Sequence, residues 1–291
     1  MKSFDYIAPH SLDDALRALQ NHVQARLLAG GTDLLTQLRS RRKTADLVID
    51  VKRIPELNVI SYDPIKGLTL GAAVPCCRVY DDPAVTRHYP ALAATAALIG
   101  GIQIQGRASI GGNLCNAAPS ADAIPILIAQ RAVCRVAGSA GEREIPVEDF
   151  CVAPGKNALQ PGEMLVSIHV PVPAPRSGAH YLRFIPRNEM DIAVAGAGAA
   201  VTLEDGVFRS AHLALAAVAP TPLYIRTASE WLPGNPVTDE TIRIAAEMAK
   251  DAAKPITDMR GTEEYRKHIC AVLARRALES AVRMARAGAA A

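Results

Sequence analysis

The segment GGIQIQGRASIGGNLCNAAPSAD, residues 100–122, decides how the rest of the chain is interpreted. So many glycines disfavour a helix interior or a central strand, because each glycine loses more backbone entropy on folding than any other residue. We expect a turn with free backbone N–H groups, and then a helix near residues 121–130. N–H groups at a turn and at a helix N-terminus suit an anionic oxygen, most often that of a phosphate. The glycines of the segment are Gly100, Gly101, Gly106, Gly111 and Gly112.

A second glycine loop, AGGTD at residues 29–33, follows the strand-like Leu27 and Leu28 and precedes a helical run. One such loop alone is more often a tight structural connection, but two phosphate-sized loops fit a ligand that carries two phosphates. Neither loop contains the G-x-G-x-x-G of dinucleotide-binding folds or the Gly-Lys-Ser/Thr of P-loops. The two loops therefore disfavour Rossmann and P-loop folds.

Length and composition indicate a globular protein of more than one domain. The chain has 291 residues, of which 49% are hydrophobic and 21% charged, enough apolar content for a buried core. A net charge of +3 predicts no nucleic-acid binding. The basic run at residues 39–43 is interpreted as a solvated helix end, because no aromatic residues interleave with it. Without an apolar leader or an 18-residue apolar stretch, we expect a cytoplasmic protein that does not insert into membranes.

The cysteines predict buried thiols rather than a metal site. None forms a Cys-x-x-Cys pair, and none has iron–sulfur or zinc spacing, so we expect no metal in this chain. The six cysteines are Cys76, Cys77, Cys115, Cys134, Cys151 and Cys270.

Patterning divides the chain into three parts. Residues 1–57 alternate strand and helix, with Ser11 as a helix N-cap, and predict a small α/β unit with parallel strands. Residues 58–175 mix strand and helix signals and end in the proline-rich run PVPAPRSG. Residues 176–291 carry a predicted hairpin around Glu204-Asp205-Gly206 and three helical stretches, so we expect a three-stranded sheet plus helices there.

The motifs AGGTD (29–33) and SIGGNLCNAAPSAD (109–122) resemble the paired flavin-binding motifs of one family. That family is the FAD-binding medium subunit of molybdenum hydroxylases, which includes xanthine dehydrogenase and carbon monoxide dehydrogenase. The resemblance covers nearly the whole chain in length and order. It implies an α+β fold of the PCMH/vanillyl-alcohol-oxidase-like type: a small α/β unit, a mixed sheet with helices, and a C-terminal antiparallel sheet with helices.

The resemblance also implies non-covalent FAD and its contacts. Backbone N–H groups of both motifs hold the pyrophosphate, and the hydroxyls of Thr32 and Ser109 add donors. Asp122 takes a ribityl hydroxyl or lies near the ring. The FAD-binding residues implied are Leu28, Ala29, Gly30, Gly31, Thr32, Asp33, Ser109, Ile110, Gly111, Gly112, Asn113, Ala118, Ser120, Asp122 and Arg183.

Arg183 has two interpretations. Residues 181–193 resemble the family's basic-residue and Asp-Ile-Ala motif, in which a lysine often stands where this chain has Arg183; there the cation faces the flavin O2 edge. Alternatively, Arg183 forms a local ion pair with Glu189 or Asp191. No residue is assigned as a catalytic acid or base, and the absence of histidine from the glycine loops disfavours a covalent histidyl-flavin bond.

The resemblance further implies that the chain is the electron-exit subunit of a complex. The implied partners are a large molybdopterin subunit and a small subunit with two [2Fe–2S] clusters, in a dimer of heterotrimers. FAD then delivers electrons to an external acceptor: NAD, dioxygen, a quinone or a protein. Two other functions stay open, a stand-alone FAD-dependent oxidoreductase and a non-catalytic assembly subunit that has lost flavin. Both intact glycine motifs disfavour the latter.

Overall fold

The chain begins with a three-stranded parallel sheet in the computed structural model, which describes residues 1–187 and 190–288. The strand order is β1-β3-β2, and two helices connect the strands. The Ser11 Oγ accepts the Asp14 N–H at 3.2 Å and caps the first helix, as predicted. The predicted parallel unit is confirmed. Its elements are β1 (Asp5–Ile7), α1 (Leu12–Asn21), β2 (Arg26–Leu28), α2 (Leu34–Arg39), β3 (Leu47–Asp50) and a 3₁₀ turn (Pro55–Leu57).

The second sheet has five strands and is antiparallel in each described pairing. Its strands are β4 (Ile60–Asp63), β5 (Gly67–Gly71), β6 (Val133–Gly138), β7 (Gly141–Pro146) and, after the short pair β8 (Cys151–Ala153) and β9 (Lys156–Asn157), β10 (Met164–Val170). The order is β4-β5-β10-β6-β7. A mixed sheet was expected. The short loops at 64–66 and 139–140 make β4–β5 and β6–β7 antiparallel hairpins, and β10 also pairs antiparallel with β5 and β6.

A series of short helices connects β5 to β6 and continues after β7. These helices are α3 (Cys76–Asp81), α4 (Pro83–His88), α5 (Pro90–Ala96), α6 (Ile102–Gln105), α7 (Ile110–Asn116), α8 (Ala123–Ala129) and α9 (Val147–Phe150). Every residue of α8 is buried. The predicted helix at about residues 121–130 is therefore a central core element.

The third sheet follows the proline-rich run and is antiparallel, in the order β11-β12-β13-β14. Asp205 and Gly206 both have positive φ, so the predicted hairpin turn is confirmed. The short β14 makes four strands instead of the expected three, since two residues are too few to show strand periodicity. The elements are β11 (Ser177–Phe184), β12 (Ala195–Glu204), β13 (Val207–Ala216), β14 (Leu223–Tyr224), α10 (Arg226–Trp231), α11 (Asp239–Ala252) and α12 (Glu263–Ala287).

Helix α8 lies between the second and third sheets. Its side chains belong to the core of the middle region, and it also contacts β12 and β13. A Cβ atom at Gly198 would lie 2.8 Å from the Pro125 carbonyl carbon, so the glycine lets helix and sheet approach closely. Helices α11 and α12 contribute to the core on the other face of the sheet.

The cysteines are less uniformly buried than predicted. Cys76, Cys134 and Cys270 are buried, whereas Cys77, Cys115 and Cys151 are half-buried. Within the described residues, no group of three or more His, Cys, Asp or Glu side chains is arranged to hold a metal ion. None of the helices formed by those residues is both long and apolar enough to span a bilayer.

Candidate functional site

The first glycine loop lies at the carboxyl end of β2. Gly31 has a φ of +78°, a conformation that strains residues with a Cβ atom. The Leu35 N–H donates to the Gly31 carbonyl oxygen at 3.0 Å, and the Gln37 N–H donates to that of Asp33 at 2.9 Å. Helix α2 thus begins directly after the loop, so β2 fixes one end of the loop and α2 fixes the other.

The second glycine segment is the start of helix α7. The Ser109 Oγ accepts the Gly112 N–H at 3.0 Å, and the Ser109 carbonyl oxygen accepts the Asn113 N–H at 2.9 Å. A turn followed by a helix near residues 121–130 was expected; a serine cap instead already starts a helix here, with two glycines in its first turn. The Gly112 N–H, predicted to be free, is already bonded.

The two segments come together in space. A Cβ atom at Gly30 would lie 1.9 Å from the Arg107 carbonyl oxygen, so only glycine allows this approach. An open cavity of about 310 Å³, within the range of small-molecule sites, lies between them; we call it the glycine cavity. The predicted residues that line it are Ala29, Gly30, Gly31, Thr32, Asp33, Ser109, Gly111, Gly112 and Asn113.

Adjacent glycines have different roles in this cavity. A Cβ atom at Gly111 would lie 2.3 Å from the Ala72 carbonyl oxygen, so Gly111 is required for backbone packing. A Cβ atom at Gly112 would meet only the Ser109 Oγ, at 3.0 Å, within 4 Å. Gly112 therefore leaves space open that a side chain would fill.

Three charged residues, Arg26, Asp33 and Lys43, also line the glycine cavity. Partial burial lowers the pKa of Lys43, and the positive charge of Arg26 adds to this effect. Burial raises the pKa of Asp33, although Lys43 opposes the shift. Lys43 belongs to the run that was interpreted as a solvated helix end. The chain turns back after α2, where the Lys43 N–H donates to the Gln37 carbonyl oxygen at 3.2 Å, and no sequence signal predicts that return.

Sequence reasoning also missed three amide residues that line the cavity, Gln37, Asn116 and Asn157. The Gln37 Nε2 donates to the Asn116 Oδ1 at 3.0 Å, which links α2 to α7. The Asn157 Nδ2 donates to the Cys115 carbonyl oxygen at 2.8 Å. Gln37 lies four residues after Asp33 and so shares its helix face, a spacing that offered a usable signal.

Asp122 and Arg183 form a buried ion pair outside the lining of the glycine cavity. The Arg183 Nη1 lies 2.6 Å from the Asp122 Oδ2, and the Tyr181 hydroxyl donates to the Asp122 Oδ1 at 2.8 Å. Burial raises the pKa of Asp122, and the Arg183 guanidinium opposes this shift. Burial, together with the Asp122 carboxylate, raises the pKa of Tyr181 well above its usual range, so its phenol keeps the proton that it donates.

Two local ion-pair partners, Glu189 and Asp191, were considered for Arg183. Asp191 pairs with Arg187, whose Nη2 lies 3.2 Å from the Asp191 Oδ1. Glu189 lies outside the described residues. The local pair with Asp191 is therefore wrong: Arg183 pairs with Asp122, a residue 61 positions away that no local spacing identifies.

Four other predicted residues, Leu28, Ile110, Ala118 and Ser120, do not line the glycine cavity. Leu28 and Ile110 are buried, and Ala118 and Ser120 are half-buried in the connection from α7 to α8. The Ala123 N–H donates to the Asn113 Oδ1 at 3.3 Å. This bond joins the cavity wall to the start of α8, next to Asp122.

Comparison with known proteins now decides the family. Residues 2–173, more than half of the chain, match the family described as the FAD binding domain in molybdopterin dehydrogenase. The chain belongs to this family. Residues 180–281 of this molybdopterin dehydrogenase family member match the CO dehydrogenase flavoprotein C-terminal domain. The resemblance seen in the two glycine motifs is thereby confirmed.

Relatives match this family member over almost its whole length. A putative xanthine dehydrogenase FAD-binding subunit of Escherichia coli K12 is 32% identical and covers 96% of this chain and 97% of its own. The carbon monoxide dehydrogenase medium chain of Hydrogenophaga pseudoflava is 31% identical, with 96% of each chain covered. These relatives are subunits of oxidoreductases.

Solved structures confirm the expected fold. A carbon monoxide dehydrogenase of Hydrogenophaga pseudoflava that lacks the Mo-pyranopterin moiety matches with a TM-score of 0.93 at 31% identity, covering 96% of this chain and 97% of that one. Quinoline 2-oxidoreductase of Pseudomonas putida 86 matches with a TM-score of 0.90 at 28% identity, covering 98% and 99%.

Proposed function

We propose that this chain binds FAD non-covalently, with the diphosphate in the glycine cavity, as the electron-transfer subunit of a molybdenum hydroxylase complex. The observation that carries the proposal is the meeting of two distant glycine segments in one cavity. Two backbone segments with little side chain suit a ligand with two adjacent phosphates.

The chemistry of the cavity fits an anionic cofactor. Gly112 leaves the space at the start of α7 open, and the hydroxyls of Thr32 and Ser109 lie in the wall. Because the Ser109 Oγ accepts the Gly112 N–H, its own proton is free to be donated to a phosphate oxygen. Arg26 and Lys43 supply positive charge in a partly desolvated setting, where a charge-assisted hydrogen bond is strong.

In this proposal, Asp122 and Arg183 act together as an ion pair whose charges neutralise each other. Their ion pair joins β11 to the start of α8, next to the bond that fixes Asn113. In this role the pair positions the cavity wall. A ribityl contact for Asp122 and a flavin O2 contact for Arg183 were expected from the resemblance. Both contacts require that the outer atoms of the ion pair face the flavin, and both stay predictions.

FAD, when bound, supplies electron acceptance and delivery at its ring system. We propose that the chain works between [2Fe–2S] clusters of a small partner subunit and an external acceptor, with substrate oxidised at a molybdopterin centre in a large subunit. The proposal has four further parts: a dimer of heterotrimers, a cytoplasmic location, the three-part division at residues 57 and 175, and the absence of metal from this chain.

The first experiment measures flavin content from the visible spectrum of the purified chain. Gly112→Val places a side chain in the open space, and we expect at least tenfold lower FAD occupancy. Gly106→Val is the matched control, because a Cβ atom at Gly106 meets nothing within 4 Å and φ is −70°. Full occupancy in the folded Gly112→Val variant would place the diphosphate elsewhere, and a wild-type chain that takes up no FAD would support a non-catalytic assembly subunit.

The second experiment tests the complex. We expect affinity-purified chain to carry along two further subunits that contain molybdenum and iron in stoichiometric amounts. A flavin-loaded chain that purifies alone and oxidises substrate by itself would instead establish a stand-alone oxidoreductase.

A further inference from the structure

Arg266, near the start of α12, is a buried charge outside the glycine cavity. Only 4% of the residue is exposed, and it does not line that cavity. A buried guanidinium is costly unless its charge is balanced and its N–H groups are hydrogen-bonded. The partners of Arg266 therefore indicate what this charge does in the fold.

The guanidinium connects α12 to three other segments. Its Nη2 donates to the Asp258 Oδ1 at 2.5 Å, which balances the charge, and its Nε donates to the Gly261 carbonyl oxygen at 3.4 Å. Its Nη1 donates to the carbonyl oxygens of Val194 at 3.1 Å and Ala217 at 3.3 Å. Val194 precedes β12 and Ala217 follows β13, so one side chain fixes an end of both strands.

The bond to Val194 leads toward Arg183. The Val194 N–H donates to the Phe184 carbonyl oxygen at 2.9 Å, and Phe184 directly follows Arg183 in β11. Arg266 thus holds the peptide that closes this end of the β11–β12 pair, at the position where Arg183 forms its ion pair with Asp122.

The bond to Ala217 leads toward Asp122. Ala217 has a φ of +66°, which a residue with a Cβ atom keeps only where its surroundings hold it. Its N–H donates to the Pro119 carbonyl oxygen at 2.7 Å, three residues before Asp122. Without the bond from Arg266, this strained peptide is free to relax and to release Pro119. The chain on either side of Asp122 then loses a fixed point, and the wall residue Asn113 is bonded to the residue after it.

We propose that Arg266 is a positioning residue for the FAD site. It fixes the peptides of Val194 and Ala217, and these peptides fix the Asp122–Arg183 ion pair beside the wall of the glycine cavity. Arg266 itself contacts neither member of the pair through a hydrogen bond. This role rests on the proposed function, because FAD is the ligand whose binding the position of the pair affects.

The test measures FAD affinity and flavin reduction potential in the purified full chain, with urea denaturation of the same proteins. Arg266→Met removes the donor to both carbonyl groups and keeps the side chain long and apolar. We expect FAD to bind about tenfold more weakly, since two hydrogen bonds that hold the site are lost. The potential of the bound flavin should fall, because the positive charge of Arg183 is no longer held in place near it.

Two control variants lose stability but keep both carbonyl bonds. Asp258→Asn removes the charge that balances Arg266 and leaves the Nη1 bonds in place. Leu273→Ala truncates a buried residue of α12, about two turns further along the helix. We expect both variants to unfold at lower urea concentration, to bind FAD within about twofold of the wild-type affinity and to keep the wild-type potential.

The outcomes separate this role from the proposed function. An unchanged potential in Arg266→Met, or equal effects of all three variants on FAD affinity, would refute the positioning role and leave FAD binding by the chain intact. A wild-type chain that takes up no FAD would refute the proposed function, and the role of Arg266 with it.

Discussion

The glycine cavity and the Asp122–Tyr181–Arg183 cluster differ in what the fold does with their polar groups. The cavity residues and, in the cluster, Asp122 and Arg183 were assigned to one cofactor by the same resemblance. In the cavity, missing side chains leave space between backbone segments, and that space stays open. In the cluster, the Asp122 carboxylate is bonded to the Arg183 guanidinium at 2.6 Å and to the neutral Tyr181 hydroxyl at 2.8 Å. Buried charges must find partners, whereas a backbone cleft maintained by glycine needs none.

The largest effect is expected from a substitution that breaks the buried cluster. Asp122→Leu leaves the Arg183 guanidinium buried without its carboxylate, so we expect a loss of about 3–5 kcal/mol in the free energy of unfolding, measured by urea denaturation. Asp122→Leu with Arg183→Met removes both charges and should recover most of that loss. A double variant as unstable as the single one would show that the pair is not the reason for the destabilisation.

Substitutions at two neighbouring glycines test the cavity side of this comparison. Gly111→Ala forces a Cβ atom against the Ala72 carbonyl oxygen and should cost about 1–3 kcal/mol of stability. Gly112→Ala meets only the Ser109 Oγ and lies in a helix, so we expect its unfolding free energy to change by less than about 1 kcal/mol. Thermal denaturation of both variants decides the point, and equal destabilisation would contradict the distinct roles.

A smaller effect is expected from the charge of the cavity. Lys43→Gln should weaken FAD binding about tenfold, because it removes a hydrogen bond from a charged donor, of roughly 1.5 kcal/mol. The matched control is Arg42→Gln, at the exposed neighbouring position. Flavin titrations followed by fluorescence would measure both affinities. If the two variants bind FAD equally well, the interpretation of residues 39–43 as a solvated helix end holds for Lys43 too.

The smallest effect concerns Asp33, a cavity carboxylate that forms no ion pair with residues 1–187 or 190–288. Burial raises the pKa of Asp33 in the folded chain, so the folded state binds its proton more tightly than the unfolded state does. The contribution of Asp33 to stability is therefore full below the ordinary Asp pKa of about 3.9 and is lost as the pH rises through the folded value.

Asp33→Asn should accordingly raise the melting temperature at pH 7 relative to the unsubstituted chain, and the difference should shrink as the pH falls toward 4. Melting curves of both proteins across this pH range measure it. A difference that does not depend on pH would mean that the ionisation of Asp33 is not its cause.

Local patterns in the sequence predicted the elements whose causes are local. The Ser11 cap, the parallel unit, the hairpin at Asp205 and Gly206 and the helix around α8 follow from capping, periodicity and turn chemistry, which act over a few residues. The same patterns missed two elements: β14 is too short to show a period, and the serine cap of α7 is followed by glycines that disfavour a helix.

The sequence alone determined the family of this protein and the two segments where the backbone approaches other atoms closely. Glycine indicates such segments directly, because it has no side chain. Only the tertiary structure decided that Gly111 packs on Ala72 while Gly112 faces the cavity, and that Arg183 pairs with Asp122. The same holds for Lys43, which the turn after α2 brings into the cavity wall. Contacts between distant residues depend on how the sheets and helices pack, and no spacing along the chain encodes that packing.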